Sequence, residues 1–438
     1  MTIAAPVRAR ADEPAAPSAA SAGHADAPVL FVAEAVTLAH VARPVVLARG
    51  LAAQGRAVVM AVDDRFDAVC PTGEWQTERI VSITTERFLA SLAKGAPIHD
   101  RRSFDACIDE DLALLARIRP AAVVGDFRLS LSVSARLAGI PYINVTNAYW
   151  SPYAHPSWHV PALPWTRFVP AAIGDLAFRA VQPLAFRMHA RAMEASRRAR
   201  GLRGLGNDLL CNYTDGDVTL YADPPELVPL FEQPATHRFL GPVTWSPPIA
   251  MPAWWDDLDT RNGVIYVTLG SSGSAARLPA VLAALARLGL PVVAATAGAP
   301  LPTHLPSNVR VAPYLPGDEV AARSRLVVCN GGSPTSHQAL VQGVPVLALP
   351  SNLDQFLNSA YLQAAGVGAW LRPERTSADA IESTARSLID GGRARDRAAA
   401  LAERLARHRP VAVLAEAINA LTAARPTAAR GPAHAVAA

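Results

Sequence analysis

The stretch Cys329–Asn358, CNGGSPTSHQALVQGVPVLALPSNLDQFLN, decides the fold. A short apolar strand, Leu326–Cys329, runs into Asn330, Gly331, Gly332, Ser333 and Thr335. A helix begins there and Gly343-Val344-Pro345 ends it. A second apolar strand, Val346–Leu349, then leads through Pro350 to Asp354-Gln355. A strand, a glycine turn and a helix start form an anion site, because free backbone N–H groups and the positive helix end converge there. The small residues let a phosphate approach the backbone. An acid–amide pair one strand further on suits a nucleotide diphosphate joined to something rich in hydroxyls.

The pattern extends in both directions. Val264–Leu269, Pro291–Thr296, Val309–Val311 and Val367–Leu371 are further strands, with helices between them. Upstream, Val29–Ala33, Ala57–Val62, Ala121–Gly125, Ile140–Val145, Asp217–Tyr221 and His237–Leu240 repeat the pattern, with helices at Val41–Gln54, Ser103–Ile118, Leu131–Ala138 and Gly174–Arg200. Such alternation predicts an α/β protein with parallel sheets covered by helices on both faces. The Pro/Trp-rich stretch around Trp245-Ser246-Pro247-Pro248 and Trp254-Trp255 reads as a linker. The expected organisation is a disordered tail at 1–27, an N-terminal domain at 28–243, a linker at 244–260, a C-terminal domain at 261–425 and a second tail at 426–438. Two doubly wound, Rossmann-like domains then face each other across a cleft, and ligands in such sheets sit beyond the carboxyl ends of the strands.

Composition supports this reading and excludes others. Of 438 residues, 51% are apolar and only 18% charged, enough for two large cores and too few charges for a disordered chain. The net charge of +4 comes from scattered arginines with no interleaved aromatics, which argues against a nucleic-acid surface. Cys70, Cys107, Cys211 and Cys329 stand far apart without metal or disulfide spacing, so a reducing cytoplasm is expected. No apolar run is long enough to span a membrane, and residues 1–27 lack the core of a secretion signal. The acidic clusters Asp109-Glu110-Asp111 and Asp256-Asp257-Leu258-Asp259 read as solvated helix faces or starts rather than a metal site. His155 and His159 have helical metal-ligand spacing, but Pro156 and the lack of a third ligand argue against a metal.

Several groups are candidates for chemistry. Gly270, Ser271 and Ser272 follow the first strand of the second domain, as an ordinary loop or as a second wall of the phosphate pocket. Tyr314-Leu315 follows another strand, where the ring either stacks on a base or belongs to the core. In the first domain His40 and Asp126 fall at the same end of the same sheet. A histidine held by a carboxylate is a competent general base, because its ordinary pKa is near 6.5 and the acid fixes the tautomer. Three of the eight tryptophans lie between residues 150 and 165. With Tyr153, Trp150 and Trp158 form either a cap on the core or an aromatic wall for an apolar acceptor.

Taken together, these residues resemble a family 1 glycosyltransferase of the GT-B fold, in the bacterial branch that includes macrolide- and flavonoid-type transferases. The resemblance spans roughly residues 28–425. Its most specific part is the spacing of Gln338, Gly343, Pro345, Pro350, Asp354 and Gln355. Tyr314-Leu315-Pro316 stands where the family has a Trp-Val-Pro element. His40 with Leu47-Ala48, Leu51 and Gly55, then Val123–Asp126, Gly139-Ile140-Pro141 and Trp150-Ser151-Pro152, are also family-like. The resemblance implies inverting transfer of a hexose from a UDP- or dTDP-sugar to a hydroxyl of a small hydrophobic acceptor, without metal or other cofactor. His40 would take the acceptor proton and Asp126 would orient it. The 270–274 and 331–335 loops, with Asn330, Tyr314, Leu315 and Gln338, would hold the nucleoside diphosphate. Asp354 and Gln355 would bind the sugar.

The chain departs from the family at Asn330, where a histidine is usual, at Gln338, where a glutamate is frequent, and at Ala39, which replaces a glycine. These exchanges motivate an alternative, a GT-B protein of reduced turnover that binds or activates a partner. A nucleotide-sugar epimerase is a further alternative, which the aromatic segment disfavours because an epimerase needs no second apolar pocket. Oligomeric state is not written in the sequence.

Overall fold

The structure, a computed structural model, describes residues 27–424 apart from 74, 271–274, 303 and 373–375. The expected tails, and Ser271 and Ser272 of the proposed phosphate loop, lie outside these described residues. In the first half, β1 (Val29–Ala33), α1 (Leu38–Ala53), β2 (Val58–Val62), β3 (Gln76–Arg79), α2 (Thr85–Lys94), α3 (Arg101–Ile118), β4 (Ala122–Asp126), α4 (Leu131–Ala138), β5 (Tyr142–Thr146), α5 (Ala171–Ala199), α6 (Leu209–Tyr213), β6 (Val218–Tyr221) and β7 (His237–Phe239) follow in order. The second half adds β8 (Val264–Thr268), α7 (Leu278–Ala286), β9 (Val292–Ala295), β10 (Val309–Ala312), α8 (Gly317–Ala322), β11 (Ser324–Cys329), α9 (Ser333–Val341), β12 (Val346–Ala348), α10 (Leu353–Ala364), β13 (Gly368–Trp370), α11 (Ala378–Asp390), α12 (Arg393–Leu405) and α13 (Pro410–Ala423).

All strands pair in parallel, in the orders β3-β2-β1-β4-β5-β6-β7 and β10-β9-β8-β11-β12-β13. The strand order reverses beside β1 and β4 in one sheet and beside β8 and β11 in the other. These are the places where such sheets open a crevice at their carboxyl ends. Register brings the strand ends level there. Ala33 lies opposite Asp126, and Thr268 opposite Cys329. The inner strands β1, β2, β4 and β8 are buried throughout, which explains their unbroken apolar runs.

Three elements of the first half, β3, α2 and the short α6, were not expected from sequence. β3 is a polar edge strand and α2 buries only Phe88, so neither carries an apolar signature. The acidic cluster at 109–111 also needs correction. Asp111 is fully buried, and the guanidinium of buried Arg128 donates to Asp111, Glu34 and Glu110 at 2.9, 2.8 and 2.6 Å. Three acids converge on one arginine, which fixes the loop after β4 beside the crevice. Asp256, Asp257 and Asp259 stay at the surface.

The last helix crosses back. Although α13 was assigned by sequence to the second domain, its Leu414, Ala417 and Ile418 share a core cluster with Val41, Val45 and Leu51 of α1. Gly50 permits the close approach, since a Cβ there would collide with Val411. One further core cluster runs from Tyr149, Trp150 and Tyr221 of the first half to Tyr266, Leu315 and Cys329 of the second.

Candidate active site

A cavity of about 700 Å³ opens between the two sheets and is lined from both. On the first side His40 sits in the opening turn of α1, which follows β1, and Asp126 ends β4. Their side chains meet, with His40 Nδ1 2.7 Å from Asp126 Oδ1. A carboxylate only accepts, so Nδ1 carries the proton and Nε2 is left as the basic nitrogen. His40 lines the cavity, whereas Asp126 is 1% exposed.

Sequence reading missed what holds this pair. The guanidinium of buried Arg43, one turn after His40, donates from Nε and Nη2 to both oxygens of Asp126, each at 2.9 Å. It also donates from Nη1 to Asn147 Oδ1 at 3.0 Å. The adjacent Asp126 carboxylate holds the Arg43 guanidinium charged against the cost of its burial. The available signal was a charge within the apolar run Val41-Ala42-Arg43-Pro44-Val45, on the helix side that faces the core. Phe127 follows Asp126 at φ 59°, a left-handed conformation unusual for an aromatic residue, and stacks on the His40 ring at 4.7 Å.

Across the cavity, β11 ends at Cys329 and α9 begins at Ser333. Gly331 makes the turn at φ 82°, packed so closely that a Cβ would collide with Ser359. The Asn330 side chain braces it by accepting from the Gly332 N–H at 3.1 Å. Gly270, Asn330, Gly332, Ser333 and Thr335 all line the cavity, so the first-turn N–H groups of α9 and the β8 loop border one space. Gln338 and Tyr314 line it too. The Gln338 amide donates to the carbonyl of Trp245, which ties the site to the linker. Leu315 reaches the cavity but is mostly core, at 2% exposure.

The remaining candidates divide. Asp354 lines the cavity and accepts from Trp150 Nε1 at 2.8 Å. Burial raises its carboxyl above the usual range, against the opposing pull of that bond. Gln355 lines the cavity, but its side-chain oxygen accepts from Ser351 N at 2.8 Å and closes a capping box with Asn352 at the start of α10. Trp150 borders the cavity. Tyr153 and Trp158 do not: Tyr153 packs edge-on against His237 and Trp158 against Phe186. The apolar lining comes instead from Phe88 and Leu92 of α2, Phe178, Val181 and Phe186 of α5, and Trp165. His155 stacks on Phe231 while His159 pairs with Asp175 at 2.8 Å, so these two histidines serve separate contacts. Asn147 links the two halves. Its amide donates to Asp223 Oδ1 at 3.0 Å and to Ser333 Oγ of α9 at 3.1 Å, while its oxygen accepts from Arg43.

The arrangement places a base-competent imidazole and a helix start around one largely apolar space, a layout suited to group transfer from a phosphate leaving group. Comparisons with known proteins agree. Residues 279–421 match the family model described as "Erythromycin biosynthesis protein CIII-like, C-terminal domain". A "PGL/p-HBAD biosynthesis glycosyltransferase" of Mycobacterium tuberculosis is 48% identical over 375 residues, 86% of this chain and 88% of that protein. A "PGL/p-HBAD biosynthesis rhamnosyltransferase" of Mycobacterium bovis is 46% identical over 381 residues, 87% of this chain and 85% of that one. Among solved structures, the spinosyn rhamnosyltransferase SpnG complexed with thymidine diphosphate superposes with a TM-score of 0.66 at 21% identity, covering 89% of this chain and 99% of that one. With two doubly wound sheets, this cavity and close relatives along most of its length, the chain belongs to the family 1 glycosyltransferases of the GT-B fold.

Proposed function

We propose that this glycosyltransferase moves a hexose from a thymidine or uridine diphosphate sugar to the hydroxyl of a phenolic, lipid-like acceptor, with inversion at the anomeric carbon. The observation that carries the reading is the single cavity that joins His40 and Asp126 on one side to the start of α9 and Asp354 on the other. The names of the two mycobacterial relatives and the phenylalanines of the lining support a phenolic, apolar acceptor. The four cysteines are free thiols, consistent with work in a reducing cytoplasm. Among the described residues no helix is long and apolar enough to cross a membrane.

In this reading His40 Nε2 takes the acceptor proton while the acceptor oxygen attacks the anomeric carbon from the face opposite the diphosphate. The imidazolium that forms is stabilised by Asp126, which Arg43 keeps in place. The carbon–oxygen bond to the diphosphate breaks, and the leaving charge is received by the Ser333 and Thr335 N–H groups at the start of α9. Asp354 accepts hydrogen bonds from the sugar hydroxyls, and Tyr314 and Gln338 border the nucleoside. Gln355 shapes this wall through its cap. The exchange of histidine for Asn330 keeps a hydrogen-bonding side chain at the diphosphate and removes a source of positive charge.

The test is to offer the purified protein UDP- and dTDP-sugars with phenols of graded chain length and to look for acceptors heavier by one sugar. Product whose yield rises with acceptor apolarity is expected. Absence of product with every donor, together with no nucleotide-sugar binding by calorimetry, contradicts the reading.

A further inference from the structure

We propose that the outer face of α5 seats the protein on an anionic lipid surface, and that the acceptor passes from that surface into the cavity. The proposal rests on the apolar-acceptor reading and adds how such an acceptor is delivered. Along α5, Ile173, Leu176, Ala180, Leu184 and Met188 recur at three- and four-residue spacing and are all solvent-exposed, Leu176 and Leu184 at 70% and 64%. Just before the helix, Phe168 is 75% exposed. A contiguous apolar face of this kind on a protein surface marks a contact with another molecule or a membrane.

Two observations choose the occupant. The first is continuity with the cavity. Trp165 and Val181 line the cavity and are also 43% and 54% exposed, and Ala177 and Val181 of the lining stand beside Leu184 on the helix, so the cavity borders this face. A lipid-like acceptor leaving a membrane would reach the His40 side without crossing water. The second is charge. Arg167 precedes the patch, Arg179 flanks it, Arg187 lies within it between Leu184 and Met188, and Arg191 follows on the same side of the helix, all exposed. The two carboxylates of α5 are turned inward: Asp175 bonds His159, and Glu194 is buried against Arg198. A helix with an apolar stripe, arginines around it and no outward acid has the pattern of an interfacial helix, whose cations meet lipid phosphates while the stripe enters the acyl boundary. A two-fold contact between copies would instead set like faces together and leave these arginines without acids on the partner's α5.

The experiment is co-sedimentation of the full chain with vesicles of equal parts phosphatidylglycerol and phosphatidylcholine, and with vesicles of phosphatidylcholine alone. Binding to the anionic vesicles that weakens with salt is expected. The pair Leu176→Glu and Leu184→Glu should weaken it about tenfold, and the pair Arg187→Gln and Arg191→Gln should weaken it in the same direction. None of these four residues lines the cavity, so turnover on a short, water-soluble phenol should be unchanged. No binding by the parent protein, or equal binding by both double variants, overturns the proposal. So does sedimentation velocity that shows a dimer of the parent protein dissociated by the leucine substitutions. Vesicle binding is read without turnover, so its failure strikes the docking face and leaves the transferase reading to its own assay.

Discussion

Asp126 is shared by a histidine and an arginine, and the arginine accounts for more of the site's rigidity. Arg43 occupies both carboxylate oxygens and is itself buried, so Arg43→Met leaves Asp126 with His40 alone in a dry setting. Removing one partner of a buried pair costs about 3–5 kcal/mol, which urea denaturation should show, and kcat should fall more than the affinity for donor. A second residue sets acid stability. Burial, with the positive charges of Arg128 and Arg87 nearby, pushes the His99 imidazole from 6.5 down to about 4. The folded state therefore keeps His99 neutral while the unfolded chain protonates it. Stability is lost as the pH falls from about 6.5 to about 4 and changes no further below, by about 3 kcal/mol in all. His99→Phe removes this component, so its melting temperature should fall less steeply than that of the parent across the same window. An equal slope would assign the acid loss to other groups. The meeting of His40 and Asp126 was readable because both fall at the same end of one parallel sheet. Arg43 was not, because a charge on a helix ordinarily faces water, and only packing against Asp126 and Asn147 makes this one internal. Tyr153 and Trp158 misled for the converse reason, since a cluster of aromatics does not say which side of a segment faces a cavity.

The elements that carry the site are short, and their turns are specific. The turn from β11 into α9 depends on Gly331 at φ 82°, where any side chain both strains the backbone and meets Ser359 and Gln355. Gly331→Ala should cost at least about 1–2 kcal/mol from the left-handed backbone alone and should weaken nucleoside diphosphate binding in a calorimetric titration. Donor affinity equal to the parent's would remove this turn from the phosphate site. Strands β8 to β13 were readable in sequence because most of them are apolar runs punctuated by glycine or proline. β3 and α2 were not, since one is a polar edge and the other buries a single phenylalanine, yet α2 supplies part of the cavity's apolar lining. The role of α5 was equally hidden, because its apolar residues lie on both its cavity side and its outer side and so blur the amphipathic period.

At the scale of the molecule, the two sheets meet with their reversal points opposed, and three features hold them so. Trp150 donates to Asp354, Asn147 donates to Ser333, and α13 returns from the second half to pack on α1. The first two join cavity-lining residues of the two halves directly. The third packs on the helix that bears His40. Leu414→Ala, which cuts into the α13–α1 core, should cost about 2–5 kcal/mol and lower activity through the position of α1 rather than through donor binding. The return of α13 could not be read locally, since a helix's partner is set by the chain path and not by its own residues. At this scale the proposal makes His40 the base of a transfer whose donor is held independently across the cavity. The direct measurement is the initial rate of sugar transfer to a phenol by His40→Ala, with donor binding followed by calorimetry on the same protein. Donor affinity close to the parent's and a rate lower by about 10²–10⁴-fold are expected; transfer at the parent's rate would rule His40 out as the base.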